Sequence, residues 1–287
     1  MDINYEILDS NNKLLLNMMN YHLNSSYKGN MHSHHYLEMS YIKGGSGTYI
    51  IDNKTYDVSK GDIFIFSNTE SHVLIVNSNS NIINQVIHFE PRFIWSQTDD
   101  SFDSRYLSVF FKRNREFKNR WDYNMPTTIK MRELFIEIEE EFKNKSHGYE
   151  LMVKVKLLNI LVLMCRHYDY LWEDSSNIKD MRQCITCINN VLDYIDFNLG
   201  SKITLKDLAK IAHMNVSYFS TFFKKYNGIT PSTYITSKRI EKAVDYLKFS
   251  DKSVTDIAII CGFNNMTSFY NAFKKFDGMS PSFYRKS

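Results

Sequence analysis

The stretch Phe223-Lys224-Lys225-Tyr226-Asn227-Gly228-Ile229-Thr230-Pro231-Ser232-Thr233-Tyr234 returns as Phe273-Lys274-Lys275-Phe276-Asp277-Gly278-Met279-Ser280-Pro281-Ser282-Phe283-Tyr284, at an offset of 50 residues. Upstream, Asp207-Leu208-Ala209 returns as Asp256-Ile257-Ala258 at an offset of 49, so the later copy carries one extra residue in its connecting turn. Two copies are too few for a solenoid, which needs about three repeats or more to close its core. They fit a supersecondary unit duplicated inside one compact domain.

Each copy reads as helix, turn, helix. Thr204 to Ala212 carries Leu205, Leu208, Ile211 and Ala212 at helical spacing, and Thr255 to Cys261 carries Ile257, Ala258 and Cys261. Asn215 is placed to cap a second helix over Val216 to Asn227 with Gly228 as its left-handed stop; Asn264 or Asn265 begins the matching helix that ends at Gly278. Within those helices Phe219, Phe222, Phe223 and Tyr226, and likewise Phe269, Ala272, Phe273 and Phe276, form stripes that must be buried. Ser217, Ser220, Thr221 and Lys224, and then Thr267, Tyr270, Asn271 and Lys274, are left outward. Those sets are rich in hydroxyl and amide groups and end in Lys, a composition suited to base edges with a phosphate contact beyond. Ser232 to Leu247 reads as an amphipathic helix between the copies. If it spaces them by about 34 Å, one duplex turn, both second helices can enter successive major grooves.

Charge agrees with a polyanionic partner for this half only. From Met181 onward there are 15 Lys+Arg against 8 Asp+Glu, and before it 20 against 24. Glu173-Asp174-Ser175-Ser176-Asn177 lacks apolar periodicity and marks a join, giving an expected division into 1–172, a linker at 173–180, and 181–287.

These residues resemble the AraC/XylS family of bacterial transcriptional regulators. The likeness runs from about Met181 to Ser287 and is carried by Ile203-Thr204-Leu205-Lys206-Asp207-Leu208-Ala209, by Ser217-Tyr218-Phe219-Ser220-Thr221-Phe222-Phe223-Lys224-Lys225, and by Ile257-Ala258-Ile259-Ile260-Cys261-Gly262-Phe263-Asn264-Asn265 through Pro281 to Tyr284-Arg285. It implies base-facing roles for Ser217, Ser220 and Thr221 and for Met266, Thr267, Tyr270 and Asn271. The family often has Arg or Gln where Ser220 and Thr221 stand, so the first of these helices is expected to be partly positional. The resemblance further implies double-stranded DNA as partner, an activator rather than a repressor, contact with RNA polymerase, and control by a small-molecule effector. A sugar is the suggested effector class.

The front half changes character. Tyr36 to Lys43, Gly47 to Asp52, Lys54 to Val58, Asp62 to Phe66, His72 to Val76 and Ile82 to Phe89 read as short strands of a sandwich or barrel. His32-x-His34-x3-Glu38-x6-Gly45, followed by Gly61 to Phe66 and His72, resembles the two cupin motifs, although Ser67 and Thr69 stand where the second motif usually has Pro and Gly. The expected fold is therefore α+β in two domains: an N-terminal cupin-like β-barrel with a helical dimerisation segment, and a C-terminal all-α double helix-turn-helix. His32, His34, Tyr36, Glu38 and His72 are candidate effector contacts. Three imidazoles and a carboxylate also suit a divalent metal, and a purely structural role for the histidines stays open. Tyr36, Tyr41 and Tyr49 fit either ring-stacking walls or core.

A metal-dependent cupin oxygenase or isomerase is the competing reading, and it leaves the duplicated basic half unexplained. No Gly-x-Ser-x-Gly or comparable nucleophile motif is present, no catalytic residue is assigned, and no cofactor is required. Thr128 to Lys145 and Tyr149 to Tyr170 read as helices. The second presents Leu151, Val155, Leu158, Val162 and Cys165 beside Leu157, Leu161 and Met164, which fits core packing or a homodimer contact. Cys184-x-x-Cys187 lacks a second pair or a neighbouring His in its helix, so buried thiols are expected rather than zinc. The four Cys are too few and too clustered for a stapled secreted fold, the acidic start does not resemble a signal peptide, and the longest apolar run, Leu157 to Cys165, falls short of the roughly 20 residues of a membrane span. A cytoplasmic protein without a membrane partner is expected.

Overall fold

The computed structural model describes residues 4–6, 16–27, 29–33, 36–94, 106–111, 113–168, 171, 176–277 and 280–285. It divides into two compact units, Met1–Ile185 and Thr186–Ser287. Of the residues singled out above, His34, Tyr170, Glu173 to Ser175, Gly278 and Met279 lie outside the described residues, as do the side chains of Ser176, Asn177, Met181, Phe276, Asp277 and Tyr284.

Strands β1 (Asn4–Glu6), β2 (Leu16–Asn24), β3 (Leu37–Gly44), β4 (Ser46–Ile51), β5 (Lys54–Ser59), β6 (Ile63–Phe66), β7 (His72–Val76), β8 (Asn81–Phe89) and β9 (Arg120–Trp121) make up the first unit's sheets. They form one six-stranded sheet in the order β1-β2-β8-β3-β6-β9 and one three-stranded sheet in the order β5-β4-β7. All the pairings are antiparallel. Glu38 stands opposite both His88 and Phe66, and Ser40 opposite Val86 and Phe64, so these residues share one face of the large sheet. That face packs on the small sheet through a core that includes Tyr49, Phe64, Phe66, Leu74 and Ile82.

Among the described residues the cupin-like barrel expected from the histidine motifs is not formed: both sheets are open. Register slips between Ile42 and Gly44 in β3, and Gly45 at φ 85° carries the chain across to the small sheet. Only glycine fits there, because a Cβ would stand 2.1 Å from the Asn81 carbonyl oxygen. β4 then pairs with β5 and β7. Alternating hydrophobicity marks strands and their buried faces without specifying which edges bond, so the same short strands fit a closed barrel or two sheets. β1 and β2 were not anticipated; Asn17, Asn20 and His22 interrupt the apolar text of β2.

Helices α1 (Pro91–Ile94), α2 (Ser108–Phe111), α3 (Pro126–Asn144) and α4 (Tyr149–His167) also belong to this unit. Pro126 sits at the start of α3, and Lys145 closes it in the left-handed region with its N–H on the Glu141 carbonyl. Phe135 of α3 meets Tyr41 on the other face of the large sheet, ring centres 5.7 Å apart. In α4 Val153, Leu157, Ile160, Leu161, Met164 and Cys165 are buried. Leu151, Met152 and Val155 are exposed, so the apolar surface read in α4 divides into an inward and an outward share.

The second unit contains the later part of α5 (Ser176–Asn198), then α6 (Leu205–Ile211), α7 (Val216–Asn227), α8 (Pro231–Phe249), α9 (Val254–Ile260), α10 (Met266–Asp277) and α11 (Pro281–Tyr284). Thr204 caps α6 in a capping box with Asp207, while Asn215, Thr230 and Ser253 cap α7, α8 and α9 through their side-chain oxygens. At α10 it is Asn265 that accepts from the Ser268 N–H at 2.8 Å. Phe219 and Phe223 are fully buried and Phe222 and Tyr226 nearly so, as are Phe269 and Phe273 in the second copy. Each such ring contributes on the order of 1.5–3 kcal/mol by burial.

Candidate functional site

Both helix-turn-helix turns are built alike. After α6, His213 lies at φ 53° and the Met214 N–H reaches the Ala209 carbonyl at 2.9 Å; after α9, Gly262 lies at φ 83° and the Phe263 N–H reaches the Ala258 carbonyl at 3.0 Å. These are equivalent Schellman closures. Glycine is required at the second turn for space as well, since a Cβ on Gly262 would stand 2.4 Å from the Leu199 carbonyl oxygen and 2.8 Å from the Arg239 guanidinium. That guanidinium donates to the carbonyls of Leu199 and Ser201 at 2.9 and 2.7 Å, tying α8 to the end of α5.

With the aromatic stripes inward, Ser217, Thr221 and Lys224 are exposed on α7, and Thr267, Tyr270, Asn271 and Lys274 on α10. Ser220 is half-buried and donates its hydroxyl to the Val216 carbonyl at 3.0 Å; Thr221 donates to the Ser217 carbonyl at 3.4 Å. Met266 differs from its neighbours by packing partly against the core of the second copy, formed by Phe269, Phe273 and Ile240 among others. Tyr218, exposed at the start of α7, was not among the expected contacts although it lies beside Ser217 in the same motif. Arrayed in this way, the outward residues offer hydroxyl, amide and ammonium groups to a groove and its phosphates.

In the first unit the large sheet brings Glu38 and His88 together, and the small sheet supplies His72. Glu38 Oε2 lies 2.8 Å from His88 Nε2 and 3.4 Å from His72 Nε2, with Glu38 and His72 both buried. His72 stacks on Phe66 at 4.2 Å and its Nδ1 lies 3.3 Å from the Glu70 carbonyl. Burial presses the His72 pKa down, but hydrogen bonding and charge from Glu38, followed by Glu70, outweigh it, and the net shift is upward. His32 is exposed; its backbone pairs with that of His72, and the two rings are 4.6 Å apart. Tyr36, half-buried, stacks near His88 at 6.1 Å.

The expected cluster is therefore partly assembled. Glu38 and His72 meet, His32 and Tyr36 border them, and His88 joins them unanticipated. Its tie to Glu38 comes from the register of β3 on β8, which strand alternation alone does not reveal. Of the other tyrosines, Tyr49 is locked in the inter-sheet core, its hydroxyl 3.1 Å from Ser40 Oγ and 3.2 Å from Asn84 Nδ2, and burial raises its pKa. Tyr41 faces α3 instead. Among the described residues no group of three or more His, Cys, Asp and Glu is arranged to hold a metal ion.

Two protein families match the chain: the AraC-like ligand binding domain over residues 21–161 and a helix-turn-helix domain over residues 208–287. The HTH-type transcriptional activator RhaS of Enterobacter sp. (strain 638) is 22% identical over 243 residues, covering 83% of this chain and 81% of that protein. The uncharacterized HTH-type transcriptional regulator YdeC of Bacillus subtilis is 23% identical over 245 residues, covering 83% of this chain and 80% of its own length. The crystal structure of ToxT from Vibrio cholerae O395 superposes with a TM-score of 0.53 over 95% of this chain and 97% of that one at 16% identity, a likeness of fold alone. These relatives are regulators of transcription, so the cupin-enzyme reading falls together with the barrel on which it rested. A match to an AraC-like ligand binding domain followed by a match to a helix-turn-helix domain identifies the chain as a DNA-binding transcriptional regulator of the AraC/RhaS type.

Proposed function

We propose that residues 181–287 read DNA through the outward residues of α7 and α10, with Ser217, Ser220, Thr221, Thr267, Tyr270 and Asn271 toward base edges and Lys224 and Lys274 on phosphates. Met266 supports the second helix from its partly buried position. The observation that carries this reading is the equivalence of the two polar faces over equivalent aromatic cores. A fluorescently labelled random duplex pool, titrated with the full chain at several salt concentrations, tests it. Affinity should fall steeply with salt as Lys-bound phosphates release counterions. Salt-independent binding, or none, refutes the reading.

Residues 1–172 take a small-molecule effector at the end of the inter-sheet core where Glu38, His72, His32 and Tyr36 converge, and 173–180 serve as the linker. A buried carboxylate held between two imidazoles supplies both acceptor and donor groups, which suits a polyhydroxylated ligand such as a sugar. Thermal-shift screening of carbohydrates against the full chain, with His72→Ala in parallel, is the direct check: a stabilising sugar whose effect is lost in the variant supports the site. The effector controls transcription by binding two arrangements of the regulator with unequal affinity.

The chain works as an activator, as the names of the RhaS relatives favour; in that role it touches RNA polymerase, in the cytoplasm. It acts as a homodimer through the outward apolar share of α4, where Leu151 and Val155 are 66% and 50% exposed. Among the described residues no helix is long and apolar enough to cross a membrane.

A further inference from the structure

At the offset of 50 residues the recognition helices trade tyrosine for serine twice, in opposite senses: Tyr218 corresponds to Ser268, and Ser220 to Tyr270. Helical residues advance by about 100° each. Opposite the buried stripe of α7, therefore, Ser217, Thr221 and Lys224 point outward, with Tyr218 and Lys225 along one border and Ser220 along the other. In α10 Thr267, Asn271 and Lys274 point outward, Tyr270 takes the Ser220 border, and Ser268 takes the Tyr218 border. The duplicated helices thus carry their aromatic residue on opposite edges of matching faces.

Tyr218 is held from two sides, while Tyr270 rests edge-on against Phe269 with ring centres 5.9 Å apart. The Tyr218 backbone N–H is held by the Asn215 cap at 2.8 Å, and its ring stacks on that of Phe222 with centres 6.2 Å apart and planes at 28°. Phe222 is itself buried, yet 58% of Tyr218 is exposed. A ring stacked on a buried neighbour has less rotamer freedom to lose on docking than a fully solvated one. The neighbouring small residues are less available: the Ser220 and Thr221 hydroxyls donate to carbonyls of their own helix. Lys225, exposed on the same border about two turns further on, adds a cation to that edge of the helix, its ammonium 5.5 Å from the Tyr226 ring centre.

We infer that Tyr218 is a further DNA-contact residue, laying its ring against a thymine 5-methyl group in the major groove and placing its hydroxyl on the adjoining phosphate. The inference rests on the DNA-reading role of α7 proposed above. Tyr218 lies in the first turn of α7, the part of a recognition helix that reaches base edges. An apolar side-chain surface is what a thymine methyl group selects for. Because Tyr270 extends from the other border of α10, the two half-sites differ in sequence despite the internal duplication of the protein.

The test uses the full chain on duplexes selected from a randomised pool, with Tyr218→Ser, which installs the residue of the second copy, and Tyr218→Phe. Tyr218→Ser should bind the selected duplex about tenfold more weakly and lose its preference for one thymine. Replacing that thymine by uracil, which removes only the methyl group, should weaken the parent protein and leave Tyr218→Ser unchanged. Tyr218→Phe should keep the thymine preference and lose a smaller factor through the missing hydroxyl. The uracil arm uses the unaltered protein, so it decides the matter even where a variant folds poorly. Parent affinity and unchanged sequence preference in Tyr218→Ser, or indifference to uracil at every selected thymine of that half-site, overturns the inference. A parent protein that binds duplex without selecting any sequence overturns the base-reading role of both helices, a separate and visible failure.

Discussion

In the first unit Glu38, His72, Ser40, Asn84 and Asp62 are buried and bonded to one another or to nearby groups; Ser40 Oγ donates to Asn84 Oδ1 at 2.7 Å, and Asp62 accepts from Arg120 Nε at 3.0 Å. In the second unit Ser217, Thr221, Thr267, Asn271 and Lys274 face solvent above cores made of rings. Buried polar groups must find partners inside the protein, so they fix one arrangement of the sheets and make it sensitive to anything that competes for those partners. Exposed ones cost little stability and remain available for contacts outside. Stability should therefore reside in the polar cluster of the first unit and in the apolar stripes of the second, with DNA affinity in the second unit's polar residues.

The largest effect expected from that contrast is at Phe273. It is fully buried in the core of the second copy, and Phe273→Ala should cost about 3–5 kcal/mol of folding stability, whereas Thr267→Ala, on the opposite face, should stay within about 0.5 kcal/mol. Denaturant unfolding of both variants measures the difference. Equal losses would mean that the helix is rotated from its described position. Next in size is Glu38→Ala, which strips His72 and His88 of their shared acceptor and should destabilise the first unit by about 1.5–3 kcal/mol. A neutral result would show that the buried cluster contributes nothing net.

Such a contrast also explains what could be read in advance. The second unit was legible because a helix declares its buried face locally: rings at i, i+3, i+4 and i+7 require a partner whatever lies elsewhere, and the duplication supplied the reading twice. Asn215 and Gly228 took the capping roles their chemistry suggested. A sheet declares less. The strands from β3 to β8 were visible within a residue or so, but whether β4 closes a ring or crosses to a second sheet depends on Gly45 and on distant pairings, which alternation does not encode. The cupin spacing of His32, Glu38 and His72 therefore pointed to residues that do approach one another while implying the wrong enclosure. His88 was missed because its tie to Glu38 is a cross-strand register, 50 positions away in sequence.

On the outward faces, Asn271 and Lys274 separate reading from anchoring. The Asn271 amide can pair bidentately with adenine, so Asn271→Ala should relax preference at one or two base pairs by roughly 1–3 kcal/mol. Lys274 offers a charge alone, and its removal should weaken all sequences about equally and make the salt slope shallower by roughly one unit. Competition binding on a randomised library resolves both, and an unchanged base preference in Asn271→Ala would remove that residue from the reading set.

The smallest effect is a pH dependence confined to the first unit, and its sign follows from the geometry. Glu38 bonds to His72 from the large sheet while the Glu70 carboxylate and carbonyl act on it from the loop before β7, with the rings of His32 and His88 nearby. Burial opposes the charged imidazole, but these partners prevail and raise its folded-state pKa above the ordinary value of about 6.5. A raised folded pKa means that protonation favours the folded form. The contribution is complete below the ordinary value and disappears as pH rises through the raised one. Unfolding of the first unit, followed by its tryptophan signal from pH 5 to pH 9, should show stability declining across that window. Glu38→Gln keeps the side-chain shape but removes the charge that favours the imidazolium, so the decline should flatten. An unaltered slope in that variant would move the titration away from His72, and with it the claim that the buried cluster of the first unit is held together by charge.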